Sequence, residues 1–124
     1  MREVELKLPA QRSMMLVIRL TTAGVIARAG LGVDRMDDVK MAVEEACSCL
    51  MGDGAPGTLK LRFAEADGQL WINVCADDGC AAPIADPDEL QVEKCILEAL
   101  VDGATLHVMD SMVRGVELRV ALEV

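Results

Sequence analysis

Three short stretches of this 124-residue chain carry the residue types that do chemistry. Glu44-Glu45-Ala46-Cys47-Ser48-Cys49 sets two carboxylates, two thiols and a hydroxyl within six residues. Ala76-Asp77-Asp78-Gly79-Cys80 joins carboxylates to a glycine, and the stretch from Asp86 to Lys94 holds Asp88, Glu89 and Glu93. Thiols invite metal binding or redox exchange. The five cysteines (Cys47, Cys49, Cys75, Cys80, Cys95) are an odd number, and no two form a C-x-x-C pair. A structural zinc site takes four ligands at tight spacing, and His107 is the single histidine, so no metal site is expected. On a helix, Cys47 and Cys49 splay apart by about 200°. The plain expectation is reduced cysteines used as small buried hydrophobes. The sharper one is a redox sensor built on Cys47 with Cys49, or on Cys75 with Cys80. Taken alone, Glu45 is an ordinary helix carboxylate, and Asp77-Asp78-Gly79 is a strand-ending turn.

The elements that must position these residues follow from hydrophobic spacing. Arg2 to Leu8 alternates, with Val4, Leu6 and Leu8 on one face of a strand that Pro9 ends. Ser13 is the expected cap of a helix reaching Arg28, with Met15, Ile18, Thr22, Val25 and Ile26 along one stripe and Gly30 and Gly32 stopping it. Asp34 is the expected cap of the next helix, whose stripe is Met36, Val39, Val43, Ala46 and Leu50. A Gly-rich loop over 52–57 follows. Leu59, Leu61 and Phe63, then Leu70, Ile72 and Val74, predict a hairpin turning at Ala66-Asp67-Gly68. Residues 80–88 read as a loop and Glu89 to Val101 as a helix. Thr105 to Met109 and Gly115 to Val124 then form two strands joined at Asp110-Ser111. The order β-α-α-β-β-α-β-β predicts one α+β domain over residues 1–124, with helices against one face of a mainly antiparallel sheet.

Composition narrows function. Lys+Arg 12 against Asp+Glu 21 leaves a formal charge of -9. Nucleic-acid affinity comes mostly from cationic neutralisation of phosphates. With one Phe, one Trp and no Tyr, the chain also lacks stacking platforms. A nucleic-acid partner is therefore not expected. A hydrophobic fraction of 52% is ample for a packed core. Arg19 and Arg28 break the longest apolar stretch, so no membrane span is expected, and a cytoplasmic location is.

From Val17 to Cys49, VIRLTTAGVIARAGLGVDRMDDVKMAVEEACSC resembles the bacterial anti-sigma factor serine kinases. These belong to the GHKL superfamily, with histidine-kinase, gyrase and Hsp90 ATPase domains. The element order carries the likeness over nearly the whole chain. The resemblance implies a two-layer α/β sandwich, ATP and Mg²⁺ as cofactors, a sigma factor or anti-anti-sigma protein as partner, and homodimers. It places Glu45 as the catalytic carboxylate that orients or deprotonates the attacking hydroxyl. Cys49 falls where the family has the Asn that coordinates Mg²⁺, and Mg²⁺ prefers oxygen ligands to a thiol. Asp77 and Gly79 match the adenine-binding Asp-x-Gly, while Ala81 stands where a second glycine occurs elsewhere in the superfamily. The family's glycine run at the last helix becomes Gln91-Val92-Glu93-Lys94, which sets a carboxylate where phosphates sit and leaves Lys94 as a point charge to offset it. The expectation is an anti-sigma-like regulator that acts by protein binding, with ATP binding weak or lost. An active ATP-dependent serine kinase and the cysteine sensor are the alternatives.

Overall fold

Strands form where polar and apolar residues alternate, because successive side chains point to opposite faces. The computed structural model describes residues 2–51, 57–77 and 86–122, and five strands lie among them. They are β1 (Arg2–Pro9), β2 (Thr58–Ala66), β3 (Gln69–Ala76), β4 (Gly103–Met109) and β5 (Met112–Ala121). Three helices, α1 (Met15–Ala29), α2 (Val33–Leu50) and α3 (Pro87–Leu100), complete the order β-α-α-β-β-α-β-β that the spacing predicts. All strand pairs are antiparallel, in the order β1-β2-β3-β5-β4.

One sheet face is apolar. Leu8, Leu59, Leu61, Phe63, Leu70, Ile72, Val74, Val116, Leu118 and Val120 are buried in a single core with the helices. The opposite face carries charge, with Arg62 bonded to both oxygens of Glu3 (2.7 Å each) and Lys60 paired with Glu5. Both hairpins turn where expected. Asp67 and Gly68 have φ of 54° and 74°, and Asp110 and Ser111 have 52° and 62°. Two successive residues with positive φ match the twist of the flanking strands.

The helices bury the stripes their spacing predicts. Ile18, Thr22 and Ile26 of α1 are buried, and the Thr22 hydroxyl donates to the Ile18 carbonyl, which satisfies it inside the core. Val39, Val43, Ala46 and Leu50 of α2 face the same core, joined by Ala42 and Cys47. Their ends differ from expectation. Ser13 lies inside a 3₁₀ turn (Arg12–Met14) that leads into α1, so Met14 and not Ser13 occupies the cap position. Gly32 precedes α2, and Asp34 sits in its first turn without capping it. α3 begins two residues early, at Pro87, because the Asp86 carboxylate caps it by accepting from the Asp88 amide at 2.8 Å. Only Leu97 of α3 is fully buried, so this helix rests lightly on the core. Among the described residues, no helix is long and apolar enough to cross a membrane.

Candidate functional site

Spacing of four on a helix stacks two side chains on one face. Glu45 and Cys49 are so related on α2, and α3 brings Glu93 against them. One carboxylate oxygen from each Glu and the Cys49 Sγ lie within 4.8 Å of one another, all on half-buried residues. The neighbouring residues on α2 turn elsewhere. Cys47 is fully buried in the core, and Glu44 accepts a hydrogen bond from Arg19 of α1, tying the two helices together.

Electrostatics at this cluster is dominated by like charge. The Glu45 carboxyl is raised to about 7, first by a hydrogen bond with the Glu93 carboxyl, then by burial and by the Glu93 charge. Two carboxylates this close share a proton because both cannot ionise cheaply. Among the described residues no other donor reaches the buried Oε1 of Glu93, so the shared proton is the donor the pair itself supplies. Cys49 is pushed well above the usual thiol range by burial and by the two carboxyls. Burial pushes Cys47 up to about 12. A thiol becomes a nucleophile or redox centre through its thiolate, and both shifts run the other way. Cys75 and Cys95 are exposed, and Cys80, the other half of the second expected sensor pair, lies outside the described residues.

The N-terminus of α3 is the other place where chemistry was expected. Free amides at a helix start bind anions, but here the Asp86 carboxylate takes the Asp88 amide and Pro87 removes one donor. Asp88, Glu89, Val92 and Glu93 line an open groove beside this end. Lys94 is exposed on the same helix. Asp77 is not among the residues of the cluster. The Asp77 carboxylate accepts from the Thr58 amide at 3.1 Å, and its own amide donates to the Thr58 carbonyl at 3.1 Å. Its carbonyl accepts from Arg114 at 3.4 Å, so the residue clasps β2, β3 and β5 where they meet. Gly79 and Ala81 lie outside the described residues.

The comparisons with known proteins agree on one group. The serine-protein kinase RsbW of Bacillus pumilus is 35% identical over 118 residues, covering 90% of this chain and 67% of that protein. The RsbW serine-protein kinase of Bacillus licheniformis is 28% identical over 126 residues, covering 94% and 78%. The chain belongs to the RsbW serine-protein kinase family. The Bacillus mycoides RsbW reaches 46% identity over 80 residues, but there the chain spans about half of the relative's length. No protein-family model matches. Among solved structures, the RsbU and RsbW domains of a Mycobacterium tuberculosis protein superpose with a TM-score of 0.75 at 17% identity, over 98% of this chain and 33% of that one. The two-layer GHKL-like fold expected from the sequence is therefore the observed one.

Within this RsbW-family fold, Glu45 and Cys49 meet as their spacing predicts, whereas Asp77 is held by Thr58 and Arg114 instead. Glu93 was legible as a carboxylate in the place of a glycine. Its contact with Glu45 was not, because that depends on how closely α3 approaches α2. The Asp86 cap was missed, although Asp-Pro followed by two acids is a helix-start signal.

Proposed function

We propose that this RsbW-family chain is an anti-sigma-type regulator that works by binding a protein, either a sigma factor or an anti-anti-sigma partner, with ATP binding weak or lost. One observation carries the second half: the Glu93 carboxyl stands against Glu45 and Cys49, where a magnesium-nucleotide complex would need cations and amides. Phosphoryl transfer depends almost wholly on positioning and charge neutralisation. A thiol is a poor Mg²⁺ ligand, two opposed carboxyls repel the phosphates of ATP, and the Asp86 carboxylate holds one of the amides at the α3 start. The first half is supported by α1, whose Leu16, Val17 and Leu20 are exposed, as is Met41 on α2. Apolar side chains left facing solvent suit a protein interface, and the net charge of -9 steers a basic partner.

The test is calorimetric titration of Mg-ATP and Mg-ADP into the purified protein, with Asp77→Asn as control. The expected result is no heat at millimolar nucleotide. Micromolar binding abolished by Asp77→Asn overturns the proposal and establishes the second reading, an ATP-dependent serine kinase. The Glu45 carboxyl near 7 favours that second reading, since a general base works best when its pKa lies near ambient pH. It would show as phosphorylation of an anti-anti-sigma protein that is lost in Glu45→Ala.

A further inference from the structure

We propose that Glu45, Cys49 and Glu93 form a binding site for a thiophilic divalent transition metal of the zinc class. This rests on the reading that the pocket no longer serves Mg-ATP. The donors are one sulfur and two carboxylate oxygens within 4.8 Å of one another, drawn from two helices. Tetrahedral zinc, with Zn–S of about 2.3 Å and Zn–O of about 2.1 Å, sets its donors about 3.5 Å apart. Rotation of the three side chains by roughly an ångström closes the set around an ion. A mixed sulfur and oxygen set selects zinc or cobalt over calcium and magnesium, which take oxygen alone.

Burial of the Glu93 oxygen adds to this. Oε1 of Glu93 is buried, and among the described residues no donor reaches it other than a proton shared with Glu45. A buried carboxylate oxygen needs a partner, and a cation between the three donors takes the place of that proton. Burial of Val43, Ala46, Cys47 and Leu50 fixes the α2 side of the site, so two ligands stand on a rigid element. Three protein ligands leave the fourth position to water. Binding is not a redox step. The Cys49 thiol and the carboxyl pair each release one proton to solvent as the metal enters.

Cobalt(II) is the probe, titrated into the full, metal-free chain in a non-chelating reducing buffer without nucleotide. The expected result is a one-to-one titration giving an intense near-ultraviolet thiolate-to-cobalt band with tetrahedral visible bands, bleached by one equivalent of zinc. The band is lost in Cys49→Ser, and Glu93→Gln weakens binding by at least about tenfold, the size of effect expected from losing a ligand contact. A double variant, Cys75→Ser with Cys95→Ser, keeps the spectrum. Circular dichroism confirms that each variant is folded, and Cys49→Ala replaces Cys49→Ser if that protein is not. Absence of a thiolate band, or a band that survives the loss of Cys49, overturns the site and leaves a shared proton as the only occupant of the pair. Mg-ATP titrated in parallel separates the two failures. Nucleotide heat overturns the regulatory reading, whereas silence with both probes overturns the metal site alone.

Discussion

Glu45 and Glu93 show how one pair of carboxyls couples folding to pH. The Glu45 carboxyl sits at about 7 in the native state against an ordinary 4.5, so between these values the folded chain holds a proton that the unfolded chain releases. Its stabilising contribution is therefore complete below about 4.5 and is lost as pH rises through 7. Above pH 7 the pair is a net repulsion. Glu45→Gln removes it, and half-burial with solvent screening limits the gain to about 1 kcal/mol. Denaturant unfolding in the presence of a chelator is the check: the variant gains on wild type at pH 8 and the difference vanishes near pH 4.5. A difference independent of pH would mean that the two carboxyls do not share a proton. This coupling was only half legible beforehand. Spacing alone places Glu45 beside Cys49, but Glu93 is 48 positions from Glu45 along the chain and meets it only because α3 packs on α2.

At the scale of elements, the stripes were legible and several ends were not. Ile18, Thr22 and Ile26 could be read directly because burial repeats with the helical period. Ser13 and Asp34 misled because a cap depends on where the incoming chain points. Here Pro9 and Gln11 close a tight turn, and Met14 bonds back to Gln11, so the helix enters through a 3₁₀ turn. Gly30 was legible, since its φ of 81° is the left-handed conformation that ends helices on glycine. That helix holds a contrast in sign. Gly24 is interior and exposed, and nothing lies within 4 Å of a Cβ added there, so Gly24→Ala stabilises the protein by about 0.5–1 kcal/mol through helix propensity. Space is equally open at Gly30, yet Gly30→Ala costs about 1 kcal/mol because an L side chain resists positive φ. Thermal melts of both variants should move in opposite directions. Shifts of one sign would show that contacts, not backbone conformation, govern these positions.

For the whole molecule, the hairpins were legible but the sheet order was not, since β4 and β5 can join a sheet through either strand. Burial decides it. Val113, Val116, Leu118 and Val120 make β5 an interior strand, while Thr105, His107, Val108 and Met109 leave β4 at the edge with exposed side chains. Charge is the remaining property of the molecule as a whole, and it sets two salt effects against each other. The ion pairs Glu3–Arg62, Glu5–Lys60, Asp37–Lys40 and Arg35–Asp102 are partly or fully exposed, so each contributes little and weakens as salt rises. Against them stands the self-repulsion of a chain with formal charge -9. Spread over a folded sphere of roughly 18 Å radius, that charge is repelled less by about 2 kcal/mol, relative to the expanded chain, when salt rises from about 10 to 200 mM. The repulsive term is the larger. Sodium chloride is therefore expected to stabilise the fold by about 1 kcal/mol net and raise Tm by roughly 3–5 °C. Calorimetry across that range at pH 7.5 is the measurement. A falling Tm would mean that the pairs along β1, β2 and α2 outweigh the acidic excess, and that the charge is arranged to hold the fold together despite its sign.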